Sequence, residues 1–205
     1  MVSILKLYSY VVRWDTGFAP NPYYGYCTLA CCKPAIRLRA EEGDFIVGSG
    51  SKHHGAQTKI VFGMHVDIKM TFTEYFIDTR FQQKKPGKKG TTLLGDNIYF
   101  LDEEGKYRQL ENQHHHERQL KYDLKGKHVL VAEPNRFWYF GRNAPQIPGE
   151  LIEIIKKGPS YKCRFSPTLV SDFLSWIQSK DTGIHGIPFD LSENIARTQN
   201  SLLRA

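Results

Sequence analysis

Residues 8–51 organise the chain and read YSYVVRWDTGFAPNPYYGYCTLACCKPAIRLRAEEGDFIVGSGS. The residues from Leu5 to Trp14 are almost all β-branched, aromatic or apolar, a composition typical of a strand that is covered on both faces. An aromatic loop follows, and Pro34 suits the first turn of a short helix that Gly43 ends. Residues 44–49 then predict a second strand. The stretch predicts a strand, a loop, a helix and a strand in this order.

The loop between the first strand and the helix is rich in aromatic residues. Phe18, Tyr23, Tyr24 and Tyr26 stand among glycine, proline and asparagine residues. Such rings can sandwich a flat ligand, so Phe18 and Tyr24 are the candidate stacking residues and Asn21 the candidate reader of a base edge. The alternative is that these rings plug one end of the fold and Asn21 holds the loop.

The second strand ends in a Gly/Ser tetrapeptide, GSGS, at residues 48–51. Its backbone N–H groups and the hydroxyls of Ser49 and Ser51 can approach a phosphate or a base edge closely, although a plain flexible loop has the same composition. Lys33 would supply positive charge at the start of the helix. We therefore expect a ligand between the GFAPNP loop, the start of the CTLACCKP segment and the GSGS turn.

These segments also carry a family resemblance. The elements GFAPNP, CTLACCKP and GDFIVGSGS occur in this order, followed by LGDNIYF at 94–100, three histidines at 114–116 and FWYFGRNAPQIP at 137–148. In this order they resemble the nucleotide modification associated domain 2 family, over most of the chain up to Pro148. The resemblance implies a role in systems that make or handle modified nucleobases, mostly in phages and bacteria. It implies no settled activity.

Composition favours one domain and an anionic partner. The chain has 205 residues, a formal net charge of +7 and a pI of about 9.2. The length is sufficient for one domain with a proper core. The basic charge gives modest support to nucleic acid or a free nucleotide as the partner, with the oligomeric state left open. No apolar run approaches the ~20 residues of a membrane span and no signal peptide is evident, so we expect no membrane partner and a cytoplasmic location.

Neither the cysteines nor the histidines predict a metal site. Cys27, Cys31, Cys32 and Cys163 are too few for a disulfide scaffold, and the C-x3-C-C spacing is not a standard zinc motif. Three adjacent histidines diverge by about 100° each on a helix and alternate on a strand, so they cannot easily share one ion. One of them, His115, is a candidate hydrogen-bonding partner of a ligand; surface histidines in a loop are the alternative. No cofactor is predicted, because no P-loop or dinucleotide-binding fingerprint is present.

A run of lysines predicts a basic loop at residues 82–92. Lys84, Lys85, Lys88 and Lys89 surround Pro86 and Gly87. These lysines are candidate contacts for a nucleic-acid backbone, each releasing counterions on binding. The alternative is a solvated loop tip.

The rest of the chain completes an α+β pattern. Unbroken alternation from Ile60 to Met70 predicts one long strand with its even-numbered residues inward. Thr71 and Glu74 form a capping-box pattern that predicts a helix. Residues 150–157 predict an amphipathic helix, and Ser166 with Pro167 predicts the start of a second one.

This order predicts an α+β fold: a bent mixed β-sheet or a PUA-like partial barrel with short flanking helices and a C-terminal helical pair. The PUA-like comparison, which includes the ASCH and EVE domains, is an analogy at the level of the fold. We expect residues 1–148 to form the domain that resembles the family. Residues 149–205 are expected to form a C-terminal helical extension that packs on it.

Three functions are compatible with the sequence. The leading one is binding of a modified nucleobase or nucleotide in an aromatic cleft, within a bacterial or phage modification system. The second is a base- or nucleotide-modifying enzyme that uses the cluster at 114–117, and the third is an interaction module of a phage or defence assembly. Candidate groups for an enzyme are Cys31, Lys33, Asp44, Asp96, His114, His115, His116 and Glu117.

Overall fold

The computed structural model describes residues 5–191, which contain eleven strands and four α-helices. The strands are β1 (Leu7–Val11), β2 (Cys27–Leu29), β3 (Phe45–Ser49), β4 (Ile60–His65), β5 (Ile68–Thr71), β6 (Tyr99–Leu101), β7 (Tyr107–Gln109), β8 (His128–Ala132), β9 (Phe137–Tyr139), β10 (Tyr161–Lys162) and β11 (Gly183–Ile184). The α-helices are α1 (Pro34–Arg39), α2 (Phe72–Ile77), α3 (Glu117–Asp123) and α4 (Pro167–Gln178). Short 3-10 helices lie at Lys52–His54, Thr79–Lys84, Gly90–Leu94, Leu124–Gly126, Gly141–Asn143 and Gly149–Ile154.

The strands form a mixed six-stranded sheet, a three-stranded sheet and a hairpin. The large sheet has the order β10-β1-β3-β4-β9-β11, in which β1 and β3 are parallel and β4 is antiparallel to both β3 and β9. The smaller sheet has the order β2-β8-β5, and β6 pairs with β7. The predicted α+β fold with a mixed sheet is confirmed. Within residues 5–191, no sheet closes into a barrel.

The single long strand predicted for residues 60–70 is wrong. The chain changes sheets at Val66 and Asp67, so β4 belongs to the large sheet and β5 to the small one. Asp67 stabilises this crossing, since its carboxylate accepts hydrogen bonds from Arg136 Nε at 2.6 Å and Glu133 N at 3.0 Å. Phe62, Met64 and Val66 are fully buried as predicted, but Val61 and His65 are buried too, so both faces of β4 are covered.

Local capping signals define the observed helices. The Thr71 hydroxyl accepts from Glu74 N while the Glu74 carboxylate accepts from Thr71 N, so the predicted capping box of α2 is confirmed. Ser166 caps α4 in the predicted way. The α-helix predicted for residues 150–157 is wrong, because a 3-10 helix ends there at Ile154 and Ile155 is extended. The expected helical pair is therefore one 3-10 helix and one α-helix.

Residues beyond 148 contribute to the main apolar core. Leu151, Ile154, Phe173 and Ile177 are buried in the cluster that also contains Phe45 from the large sheet. Residues 192–205, which complete the expected extension, lie outside the described part of the chain. None of the helices in residues 5–191 is both long enough and apolar enough to cross a membrane.

Candidate functional site

A basic cavity lies where β1, the GSGS turn and the start of α1 meet. Its volume is about 860 Å³. Every charged side chain that lines it is cationic: Arg13, Lys33, Lys52, Lys156 and Lys157. A cavity lined by one sign of charge focuses the electrostatic field and attracts an oppositely charged ligand. The arrangement can therefore bind an anion.

Lys33 occupies the position expected for it at the start of α1. The residue has φ 40°, and its ammonium lies 4.5 Å from the centre of the Tyr10 ring and 3.5 Å from the carbonyl oxygen of Val11. Burial lowers the pKa of Lys33. The ammonium is thus only partly compensated by groups of the protein, which leaves it able to pair with an anion in the cavity.

The GSGS turn reaches the cavity through its other residues. Gly50 and Lys52 line it, whereas Ser49 and Ser51 are buried. The Ser49 hydroxyl donates to the carbonyl oxygen of Tyr10 at 3.5 Å, and the Ser51 hydroxyl lies 2.9 Å from His54 Nδ1. The predicted turn thus shapes the site, but its two hydroxyls make bonds inside the protein.

The aromatic loop packs against other parts of the protein. Phe18 is 3% exposed, and its ring centre lies 4.8 Å from that of His114 and 4.9 Å from that of His115. Tyr24 is half-buried, and its hydroxyl lies 3.1 Å from Thr91 Oγ1. Neither residue is among those that line the basic cavity. This placement favours packing as their role over stacking on a ligand.

Asn21 and Lys84 form a buried pair that holds this loop. Asn21 Nδ2 donates to the carbonyl oxygen of Leu94 at 2.7 Å, and Asn21 Oδ1 accepts from Lys84 Nζ at 2.7 Å. Both side chains are completely buried. The expectation that Lys84 lies on a solvated basic loop is therefore wrong, because its ammonium is hydrogen-bonded inside the protein. The polar atoms of Asn21 are likewise engaged internally, which favours the structural interpretation of that residue.

The other lysines of the predicted basic loop lie nearer to solvent. Lys88 and Lys89 are exposed. Lys85 is half-buried, with its ammonium 3.7 Å from the centre of the Phe76 ring. Only Lys88 and Lys89 are thus as accessible as a contact with a nucleic-acid backbone requires.

A thiol, an imidazole and a carboxylate come together at the start of α1. Cys32 Sγ lies 3.4 Å from His115 Nε2, and His115 Nδ1 lies 3.0 Å from Asp123 Oδ2. Burial lowers the pKa of His115, but hydrogen bonds to Asp123 and Cys32 and their negative charges outweigh it and raise the pKa to about 9. His115 is buried, which corrects the expectation of a surface loop. Cys32 and Asp123 adjoin in sequence the cavity-lining residues Lys33 and Tyr122.

Arg37 stabilises the arrangement of Cys32, His115 and Asp123. Its guanidinium is fully buried and donates to the carbonyl oxygens of Cys32 at 2.7 Å, His128 at 2.8 Å and Asp123 at 2.7 Å. It also lies 3.3 Å from Asp123 Oδ1, while the Tyr99 hydroxyl donates to Asp123 Oδ2 at 2.8 Å. The carboxylate is therefore oriented by a cation and a hydroxyl, as well as by His115.

The same residues include a set with metal-binding chemistry. One ligand atom each of Cys31, His115 and Asp123 lies within 4.8 Å of the others. Burial raises the pKa of Cys31 well above its ordinary value, which keeps the thiol protonated, and the Arg37 guanidinium lies beside the carboxylate. A neutral thiol and an adjacent cation both oppose a metal ion, so we interpret the set as a hydrogen-bond network.

The other candidate groups are dispersed. Asp96 is buried and accepts from Thr28 Oγ1 at 2.6 Å and the Tyr75 hydroxyl at 2.8 Å, and burial raises its pKa. Asp44 accepts from two backbone N–H groups. His116 and Glu117 are exposed at the start of α3, so the residues at 114–117 do not converge on one point.

Sequence reasoning missed Asp123, Arg37 and the cavity lysines at 156 and 157. A signal existed for Asp123, which ends α3. A carboxylate in the last turn of a helix opposes the helix dipole and calls for a cationic partner, here Arg37 and protonated His115. No comparable signal exists for Lys156 and Lys157, which lie in a segment expected to be helical.

Comparison with known proteins gives one match. The family model described as nucleotide modification associated domain 2 matches residues 4–195. No curated protein matches the chain. No solved structure matches it either.

Proposed function

Because the chain belongs to the nucleotide modification associated domain 2 family, we propose that its basic cavity binds the phosphate of a nucleotide or nucleic acid carrying a modified nucleobase. One observation carries this proposal: each charged residue that lines the cavity is lysine or arginine. Ammonium and guanidinium groups are the usual protein partners of phosphate. The volume of about 860 Å³ lies within the range of small-molecule sites, roughly 300–1,000 Å³.

The cavity also has a wall suited to a base. Tyr122, Ile152 and Ile155 line it, and Tyr122 is 56% exposed. An exposed ring can stack on a base, which contributes about 1–3 kcal/mol. Tyr122 thus takes the stacking role in this proposal, in place of Phe18, which is buried, and Tyr24, whose hydroxyl contacts Thr91.

A binding experiment with matched charge removal tests the proposal. Fluorescence anisotropy with a labelled single-stranded oligonucleotide is measured over a range of salt concentrations, for wild type, a Lys52→Ala/Lys156→Ala variant and a Lys88→Ala/Lys89→Ala variant. Both variants lose two positive charges, but only the first loses them from the cavity. We expect the cavity variant to bind roughly 10-fold or more weakly, with a salt slope reduced by about 0.7 per lysine. The Lys88/Lys89 variant should bind like wild type.

Two results would contradict the proposal. Equal losses in both variants would mean that affinity follows net charge and not the cavity. A loss confined to the Lys88/Lys89 variant would place the contact on the basic loop. Competition by deoxythymidine monophosphate then separates the two sources of phosphate. The mononucleotide displaces the labelled oligonucleotide from a site for free nucleotide, but not from a site for a polymer backbone.

A further inference from the structure

Cys32 differs from the other cysteines of the chain in its surroundings. Cys27 and Cys31 are completely buried, and burial raises their pKa values. Cys32 is half-buried, faces an imidazole nitrogen at 3.4 Å and directly precedes a cavity-lining lysine. Partly exposed thiols in electropositive surroundings are the reactive ones in proteins.

The backbone at Cys32 is also unusual. Cys32 has φ 60° and Lys33 has φ 40°, so two consecutive residues other than glycine lie in the left-handed region. They turn the chain sharply from the end of the β2 segment into α1. Non-glycine residues in this region cost energy and concentrate at functional sites, and a strained turn before a helix presents nucleophiles in other folds.

A second relay in the structure provides a comparison. The Ser51 hydroxyl lies 2.9 Å from His54 Nδ1, and His54 Nε2 lies 2.9 Å from Asp190 Oδ1. Ser51 is only 5% exposed, and Asp190 also accepts from the backbone N–H of Asp15 at 2.7 Å. This relay therefore ties the GSGS turn to the last described segment. Of the two nucleophiles, Cys32 is the more exposed, since it is half-buried and Ser51 is buried.

We propose that Cys32, His115 and Asp123 form a nucleophile, a proton-transfer group and an orienting carboxylate that together catalyse acyl transfer at the start of α1. A thiol within hydrogen-bond reach of a base, whose other nitrogen is held by a third group, is the geometry of nucleophilic catalysis. Asp123 is fixed by Arg37 and Tyr99, which keeps His115 Nε2 directed at the thiol.

Water is the only further reagent that the reaction needs. Cys32 Sγ bonds to the carbonyl carbon of an ester or amide, and the bond to the leaving alcohol or amine breaks. The proton lost by Sγ passes through His115 Nε2 to that leaving group. Water then attacks the thioester carbon and gives a proton to His115, the C–S bond breaks, and Sγ regains the proton. An amine in place of water gives an amide.

The cavity specifies the class of substrate, and this part rests on the proposed function. Cys32 directly precedes the cavity-lining Lys33 in the chain, so we infer that lysines of the cavity hold the substrate through a phosphate. The substrate class is therefore a nucleotide that bears an acyl or amide group. Removing or exchanging that group would be one step in processing a modified base.

The test uses wild-type protein and an internal standard. Cys163 is also half-buried but has no imidazole partner among the described residues. Iodoacetamide alkylation of both thiols is followed by peptide mass spectrometry between about pH 6 and about pH 9, a range that brackets the ordinary thiol pKa of about 8.5. We expect Cys32 to react roughly 10-fold or more faster than Cys163, because an imidazole nitrogen lies 3.4 Å from its Sγ. p-Nitrophenyl acetate should acetylate Cys32 in wild type and in Cys163→Ser, and leave Cys32→Ser unmodified.

The outcomes separate this proposal from the one on which it rests. Two results together would overturn the triad, whatever the cavity binds. They are equal alkylation rates of Cys32 and Cys163 with the same pH profile, and no acetyl group on Cys32. Slower alkylation of Cys32 in the presence of deoxythymidine monophosphate supports both proposals. Fast alkylation that this nucleotide does not slow supports the triad and contradicts a nucleotide site beside it.

Discussion

Lys84 is the residue on which the aromatic loop depends. Its ammonium donates to the carbonyl oxygen of Asn21 at 3.0 Å and to Asn21 Oδ1 at 2.7 Å, and no part of the side chain reaches solvent. Burial lowers the pKa of Lys84 to about 8, although the charges of Asp96 and Cys27 oppose the shift. Removing a buried cation leaves its hydrogen-bond acceptors without partners. The loss in stability is then larger than the stability that the hydrogen bonds themselves contribute.

We therefore expect Lys84→Met to destabilise the protein by about 2–4 kcal/mol, because the substitution preserves most of the volume and deletes the donor. The free energy of unfolding is measured by urea denaturation. Lys88→Met is the matched control, since Lys88 is exposed. Its effect should stay within about 0.5 kcal/mol. Equal small effects at both positions would show that the buried ammonium stabilises nothing.

His115 gives the protein a defined dependence on pH. Its pKa in the folded state is about 9, above the ordinary value of 6.5, so its stabilising contribution is complete below pH 6.5 and is lost as the pH rises to 9. The difference in unfolding free energy between wild type and His115→Gln should shrink over this window, by an amount on the order of 3 kcal/mol.

NMR titration of the histidine ring protons checks the same point directly. His115 should titrate near pH 9 and His114 near pH 4, because burial lowers the pKa of His114. A His115 midpoint at the ordinary value, with a pH-independent stability difference, would contradict the assigned contacts to Asp123 and Cys32.

The chemistry of individual residues in the lysine run could not be read from the sequence. Lys84 and Lys88 stand in the same run, and each begins a Lys-Lys pair. Their fates differ because a 3-10 helix spans Thr79–Lys84, and residues three apart lie above one another in such a helix. Phe81 and Lys84 therefore both face the interior. A basic run at residues 82–92 gave no sign of that helix.

At the scale of elements, α1 is joined to α3 through Arg37 and a close approach at Gly126. A Cβ at Gly126 would lie 2.6 Å from Arg37 Cζ and Nη1. Arg37 cannot yield, since it is fully buried and bonded to three carbonyl oxygens. The glycine is therefore required for the guanidinium to reach Asp123.

Gly126→Ala should destabilise the protein by about 1–3 kcal/mol through this overpacking. Gly149→Ala is the matched control, because a Cβ there meets nothing within 4 Å. Thermal unfolding by circular dichroism compares the two variants with wild type. If the melting temperature falls equally in both variants, the loss of stability comes from the backbone and not from contact with Arg37.

Element types were predicted well where the signal was local. The capping box of α2 and the Ser166 cap of α4 depend on residues three apart, and both were found as predicted. The break between β4 and β5 was missed because both strands keep the same alternation, although they belong to different sheets. At the crossing between them Arg136 donates a hydrogen bond to Asp67, a contact between distant residues that periodicity does not encode.

At the scale of the whole molecule, residues 149–191 are part of the same fold as the residues before them. β10 pairs with β1, and Phe173 of α4 lies with its ring centre 6.1 Å from that of Phe45 in β3. Ile177 approaches the large sheet closely, since a Cβ at Gly63 would lie 2.5 Å from its Cδ1. The main core is thus shared between segments on either side of residue 148.

Phe173→Ala should accordingly cost about 3–5 kcal/mol, the range for a buried aromatic ring. Asp172→Ala, at an exposed neighbouring position of the same helix, should change the stability by no more than about 0.5 kcal/mol. Guanidinium denaturation monitored by tryptophan fluorescence measures both. A two-step transition in wild type, with only one step affected by Phe173→Ala, would instead indicate that α4 belongs to a separate unit.

The candidate site shows the limit of a single sequence at this scale. The segments that meet were partly anticipated, since Lys33 and the GSGS turn do lie together. The partners that complete it, Asp123 beside His115 and the lysines at 156 and 157, come from distant parts of the chain. Such pairings depend on the topology of the sheets, which the sequence pattern leaves open.

A crystal structure of the protein grown with deoxythymidine monophosphate would locate the ligand directly. The account predicts that the phosphate lies in the basic cavity, in contact with Lys33, Lys52 or Lys156, and that the base lies against Tyr122. Density for the nucleotide on the aromatic loop, between Phe18 and Tyr24 and away from these lysines, would contradict it.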